Sequence, residues 1–168
     1  MSLKSTFKRW WIRTYTKMVT EKATPEYIAR GWAIGMFYGC LIPFGFQLVL
    51  SIPTSFALKG SKIGAALGTL ITNHFTIFII YPLQCYAGNR IIGGSIHFAD
   101  IKKAMADVIQ NQDYSTLLGM SADLVVSFFV GGALLTAIMT PLTYFGVKLL
   151  VTSRQKSKLK RLKAKGAK

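Results

Sequence analysis

Two polar clusters stand inside stretches of this sequence that carry no charge, and they are where chemistry would be sought first. One is Pro43-Phe44-Gly45-Phe46-Gln47. Proline removes a backbone donor and glycine loosens the chain, so amides and carbonyls are opened there. Gln47 adds a donor and an acceptor of its own. The other is Thr72-Asn73-His74-Phe75-Thr76. Hydrocarbon offers such side chains no partner, so they must bond to protein or line a wet cavity. Two readings stay open. Either Asn73 and Thr76 restore the hydrogen bonds of a broken neighbouring backbone, or Gln47, Asn73, His74 and Thr76, with Pro43 and Gly45, make a site touched by a solute or a proton.

Enzymatic chemistry is not expected. The sequence has no zinc-ligand spacing, no phosphate-cradling loop and no Ser-His-Asp set, and it offers no nucleophile–base pair. Neither a metal nor a cofactor is implied. His97 stands beside a polar loop and reads as a solvated histidine. Cys40 and Cys85 lie in apolar stretches and read as free, buried thiols. Arg90 and Asp123 are expected to pair near one surface.

The elements that must position these residues follow from the charge pattern. The chain of 168 residues carries 21 Lys+Arg against 6 Asp+Glu, a net charge of +15. That charge crowds the two ends and leaves the interior nearly bare, which is the pattern of a membrane protein with basic cytoplasmic flanks. The start has neither the short apolar core and cleavage site of a secretory signal nor a myristoylation glycine. The fold expected is all-α and integral to a membrane: a re-entrant or kinked helical hairpin, about two transmembrane helices, and amphipathic interfacial helices.

Residues 1–22 alternate Leu3, Phe7, Trp10, Trp11 and Met18 with Lys8, Arg9, Arg13 and other basic residues, at helical spacing. Such a helix suits the headgroup boundary. A membrane domain, 23–152, opens at Thr24-Pro25-Glu26, a sequence made for a helix start. Its first unit, 31–58, is uncharged but broken by Pro43 and Gly45, with Pro53 as a second interruption. Arg30 precedes it and Lys59 and Lys62 follow it, which puts both ends on one side of the bilayer. Two full crossings need about 40 residues, so a hairpin must stop short of the far side. A span at 63–92 follows, interrupted at Pro82. Then come an amphipathic helix on the outer surface at 98–114, with Ile101, Met105, Val108 and Ile109 on one face, a second span at 117–151, and a basic cytoplasmic tail at 153–168. Two spans keep both basic termini cytoplasmic.

A shift of 29 residues superposes the first two units: Gly31, Gly35 and Gly39 fall on Gly60, Gly64 and Gly68, and Pro53 falls on Pro82. Glycine at every fourth residue lets another helix come close, within one chain or between subunits. The tail residues Lys158, Lys160 and Arg161, like Lys8, Arg9 and Arg13, suit anionic lipid headgroups. With no aromatic residue in the tail to stack on bases, nucleic acid is not expected.

The run Pro25-x-x-Ile28-Ala29-x-Gly31-x-Ala33-Ile34-Gly35-x-Phe37, then Pro43-x-Gly45-x-Gln47, then Ile71-Thr72-Asn73-x-x-Thr76, and Tyr81 and Gly88, resembles the prokaryotic membrane family catalogued as domain of unknown function 2062. The likeness runs from about Ala23 to Leu150. His74 stands where that family usually has proline, and Lys59-Gly60-Ser61-Lys62 replaces its Arg-x-Asn-like junction. The resemblance implies a bacterial inner-membrane protein and supplies no activity. Two functions are therefore expected as alternatives. One is permeation or transport of a small polar or amphipathic solute, lipid included, by a homo-oligomer or with partner membrane subunits. The other is a scaffold that docks through glycine-lined helices.

Overall fold

The computed structural model describes residues 23–43, 45–70, 72, 76–111 and 122–166, with the side chains of 104, 105, 107–111 and 158–166 left aside. The helix expected at 1–22, with Lys8, Arg9 and Arg13, lies outside the described residues. Six helices occur among those described: α1 (Pro25–Leu41), α2 (Gln47–Ala57), α3 (Lys62–Thr69), α4 (Ile77–Ile91), α5 (Phe98–Asn111) and α6 (Ala122–Gly166). No strand occurs among them.

α1 begins as its sequence dictates. Thr24 is its N-cap, with Tyr27 N–H donating to Thr24 Oγ1 at 3.3 Å, and Pro25 stands in the first turn. Glu26 holds its carboxyl below the usual glutamate range, first through its backbone hydrogen bond and then through Lys148, whose Nζ lies 3.2 Å away. That ion pair ties α1 to α6. Ile28 and Ala29 of α1 pack with Val147 and Val151 of α6, and Gln155 Nε2 donates to Ala23 O at 2.9 Å. At the other end of α1, Cys40 reaches Gly132. The two helices therefore run antiparallel.

Beyond Leu41 the chain reverses, and α2 returns along α1. Tyr38 and Thr54 share a hydroxyl hydrogen bond of 2.9 Å. Arg30 Nη1 donates to Leu58 O at 2.9 Å and lies 3.4 Å from Lys59 O, so the two feet of the hairpin are held together. α3 then runs back beside α1, with Ser61 as its N-cap accepting from Gly64 N–H at 2.8 Å. The glycines set the spacing of this pair. A Cβ on Gly31 would fall on Ser61 O, one on Gly35 on Ala65 O, and one on Gly68 would lie 2.7 Å from Trp32 O. Backbone meets backbone there, and no side chain would fit between.

Two expectations need correction. Pro53 and Pro82 were expected to interrupt their units, yet each lies inside a helix, α2 and α4. The breaks fall elsewhere, at 42–46 and between Thr69 and Ile77. Around Pro53 the hydroxyls of Ser51, Thr54 and Ser55 donate to the carbonyls of Leu48, Leu50 and Ile52, while the carbonyl whose helical donor the proline removes is that of Val49. The second correction concerns Arg90. It donates to Tyr86 Oη at 3.1 and 3.2 Å and lies over that ring, and no ion pair joins it to Asp123 among the described residues.

α4 crosses α6 as closely as α1 meets α3. A Cβ on Gly88 would fall on Ser127 O, and one on Gly131 on Gln84 O. Ile77, Tyr81 and Cys85 of α4, Ile101 of α5 and Phe128 of α6 form the core at this crossing, with Tyr81 and Phe128 edge to face. α6 is 45 residues long and continues through the basic segment to Gly166. Within it, Ala122–Ser157 is long and apolar enough to cross a membrane.

Candidate functional site

The break after α1 collects polar groups. A helix end leaves its last carbonyls without internal partners. Here Tyr38 O accepts from Ile42 N–H at 2.9 Å, and Gly39 O accepts from the Thr72 hydroxyl at 2.8 Å. Gly45 turns the chain with φ +106°, a left-handed value that favours glycine. The turn brings Gln47 to Thr72, with Oε1 3.1 Å from Thr72 Oγ1, and Thr69 O lies 3.2 Å from the same hydroxyl. One hydroxyl proton cannot satisfy three acceptors. Turning the Gln47 amide over would let its NH2 donate to Thr72 while Thr72 donates to Gly39. In either orientation one end of the amide goes unmatched, and as placed that end is Nε2. Gln47 is 3% exposed.

A second buried amide lies across α1. Gln84 Nε2 donates to Phe128 O at 3.0 Å, and its Oε1 has no partner among the described residues. Gly132 makes this possible, since a Cβ there would come 2.6 Å from Gln84 Nε2 and 3.1 Å from Cys40 O. The consecutive residues Gly39 and Cys40 thus place one glutamine on each side of the end of α1. Thr136 and Thr140 stand one and two turns further along α6, and the hydroxyl of each is buried without a partner among the described residues, as is Trp32 Nε1. Among the described residues no group of three or more His, Cys, Asp or Glu is placed to hold a metal. Cys40 and Cys85 are free and buried.

A family described as "Uncharacterized protein conserved in bacteria (DUF2062)" matches residues 8–160. The chain belongs to this family. No curated protein and no solved structure matches it. Of the polar residues singled out in this DUF2062 chain, Gln47 is buried at the site, Pro43 is half-buried and Gly45 is exposed at the turn. Thr76 is the half-buried N-cap of α4, and Asn73 and His74 lie outside the described residues. Thr72, Gln84, Thr136 and Thr140 are not among the site residues expected from the sequence. Their signal was a polar side chain in an uncharged stretch, and only the packing reveals which of these face inward.

Gly31, Gly35 and Gly39 meet the α3 region where Gly60, Gly64 and Gly68 stand. Lys158, Lys160 and Arg161 belong to the helical extension of α6. Arg30, Lys59, Lys62, Lys148, Arg154 and Lys156 gather at the same end of the bundle, with Lys62 over the Phe56 ring at 4.8 Å.

Proposed function

We propose that this chain is a multi-pass protein of the bacterial inner membrane, with α1 and α2 as a re-entrant hairpin, and that it lets a small polar or amphipathic solute cross at a mid-depth site. The observation that carries the membrane reading is α2. It buries Gln47, Ser51 and Ser55 and exposes Leu48, Val49, Leu50, Ile52, Phe56 and Leu58, with Val49 68% and Phe56 70% exposed. In water this order is inverted, since each large apolar side chain left out forfeits about 1.5–3 kcal/mol. In hydrocarbon it is the stable order. α6 agrees, because its most apolar stretch is only 28% buried, whereas the core helix of a soluble protein would be mostly covered.

Depth supports the site. Residues 31–58, 63–89 and 124–147 hold no Asp, Glu, Lys or Arg. Arg30 stands ten residues before Cys40, about 15 Å at 1.5 Å per residue. That is half of an apolar layer of about 30 Å. The basic end, from Arg30 to Lys156, is the cytoplasmic one by the positive-inside rule, where anionic headgroups would meet it. A hairpin and two spans make a thin wall around a path, so a homo-oligomer or a partner subunit completes it. The scaffold reading has less support. The glycines it would dock through are already pressed against backbone inside the chain.

Two measurements test this. With Cys40 and Cys85 replaced, Lys59→Cys is expected to label from the same face of sealed vesicles as Ser157→Cys, and Ser95→Cys from the opposite face. Labelling of Lys59→Cys with Ser95→Cys would remove the hairpin. In proteoliposomes the chain is expected to raise the flux of at least one of glycerol, urea, potassium and chloride, and Gln47→Leu with Gln84→Leu to lower it. A folded double variant with every flux unchanged would remove the site.

A further inference from the structure

Among the described residues, Trp32 Nε1 and Asn89 Oδ1 are buried and unmatched, and four further unmatched polar atoms form a series. Gln84 Oε1 of α4 belongs to the side chain packed on Gly132 of α6, Thr136 and Thr140 follow one and two turns further along α6, and Gln47 Nε2 stands at the hairpin turn where that series begins. Gln47 and Gln84 are each 3% exposed and Thr136 is 5% exposed. Buried polar groups are paired in nearly all proteins, and unpaired ones call for a reason. Threonine in a helix usually returns its hydroxyl to the preceding turn, so two such hydroxyls left unmatched on one face are unusual. The series stops at the apolar contact of Ile28 and Ala29 with Val147 and Val151, near the basic end. In the other direction it stops at the Tyr81, Cys85 and Phe128 core.

We infer that this row is the binding track for the solute and that the solute is small and uncharged, able both to donate and to accept hydrogen bonds, as a polyol or an amide is. The inference rests on the permeation reading and specifies its substrate class. The row presents the acceptor of the Gln84 amide, one unmatched end of the Gln47 amide and hydroxyls that serve as donor or acceptor. It presents no counter-charge. The three apolar stretches lack Asp, Glu, Lys and Arg altogether, and their histidine, His74, lies outside the described residues. Ionisable side chains within the membrane commonly mark ion paths, and where backbone carbonyls replace an ion's hydration instead they are arranged in rings. A neutral molecule needs only its hydrogen bonds replaced, and this row replaces them.

Proteoliposomes of the full chain separate the possibilities. Glycerol and urea entry is read by light scattering after an osmotic step, and potassium and chloride flux by ion-selective electrodes. Glycerol or urea flux is expected above that of protein-free vesicles, with both ion fluxes at the protein-free level. Thr136→Val with Thr140→Val, nearly isosteric, removes two hydrogen-bonding groups, and the neutral flux is expected to fall about three- to tenfold. Thermal stability of that variant should hold or rise, because two unmatched hydroxyls are gone. A loss of flux alongside a loss of stability would assign the hydroxyls to structure and overturn the track. Ion flux above background would keep permeation and overturn the neutral substrate. No flux of either kind would overturn permeation itself and the track with it.

Discussion

Gly131→Ala is expected to abolish the packed fold, although it adds a single methyl group. The added carbon would fall on Gln84 O and lie 3.1 Å from Gly88 N, across the crossing of α4 and α6. Both obstacles are backbone, so no rotamer change makes room. Overpacking typically costs about 1–3 kcal/mol, occasionally more, and here relief requires the helices to part. Parting them would break the hydrogen bond from Gln84 to Phe128 O and open the Tyr81–Phe128 contact. The measurement is recovery of a monodisperse species in detergent, with its melting temperature. Gly146→Ala is the control on the same helix, since nothing lies within 4 Å of a Cβ there. Alanine favours a helix over glycine by about 1 kcal/mol, so that variant should be neutral or slightly stabilised. If Gly131→Ala elutes and melts like the parent chain, the close crossing is wrong.

Much of the local structure was legible because local chemistry decides it. Thr24 followed by Pro25 and Glu26 opens α1 as those residue types require. Pro43 and Gly45 mark the reversal, where Gly45 holds a conformation that suits no other residue well. Pro53 and Pro82 misled because a proline costs a helix one hydrogen bond and kinks it without having to end it. The second break lies between Thr69 and Ile77, at a stretch whose polar residues read as a site and not as an interruption. The site was harder to read. Gln84, Thr136 and Thr140 stand singly in apolar helices, and periodicity does not tell which face α1 will cover. Gly132 decides that for Gln84, and its role exists only once α1 ends beside it.

Thr72→Val should cost more than any other isosteric change near the site. Thr72 is 0% exposed, and its hydroxyl alone joins three segments: the end of α1 at Gly39 O, the start of α2 at Gln47, and the end of α3 at Thr69 O. Valine keeps the shape but can neither donate to these oxygens nor accept from the Gln47 amide. The Gly39 carbonyl loses the Thr72 donor, and the Gln47 amide loses its partner among the described residues. An unmet buried polar group costs about 1–3 kcal/mol, and apolar surroundings push that figure up because no water relieves it. A loss of about 2 kcal/mol or more is therefore expected in thermal or denaturant unfolding. Thr72→Ser retains the oxygen and gives up one methyl, a cost of about 0.8 kcal/mol, so it should recover most of the difference. The Gln47 share can be isolated by making Thr72→Val in a Gln47→Leu background. With the amide already gone, the second change should be milder by about 1 kcal/mol, a coupling in the range seen for side chains in contact. Equal losses in the two backgrounds would mean that the amide and the hydroxyl do not act on each other. The hairpin turn would then be held by Gly39 and Thr72 alone, and Gln47 would no longer belong to the same site.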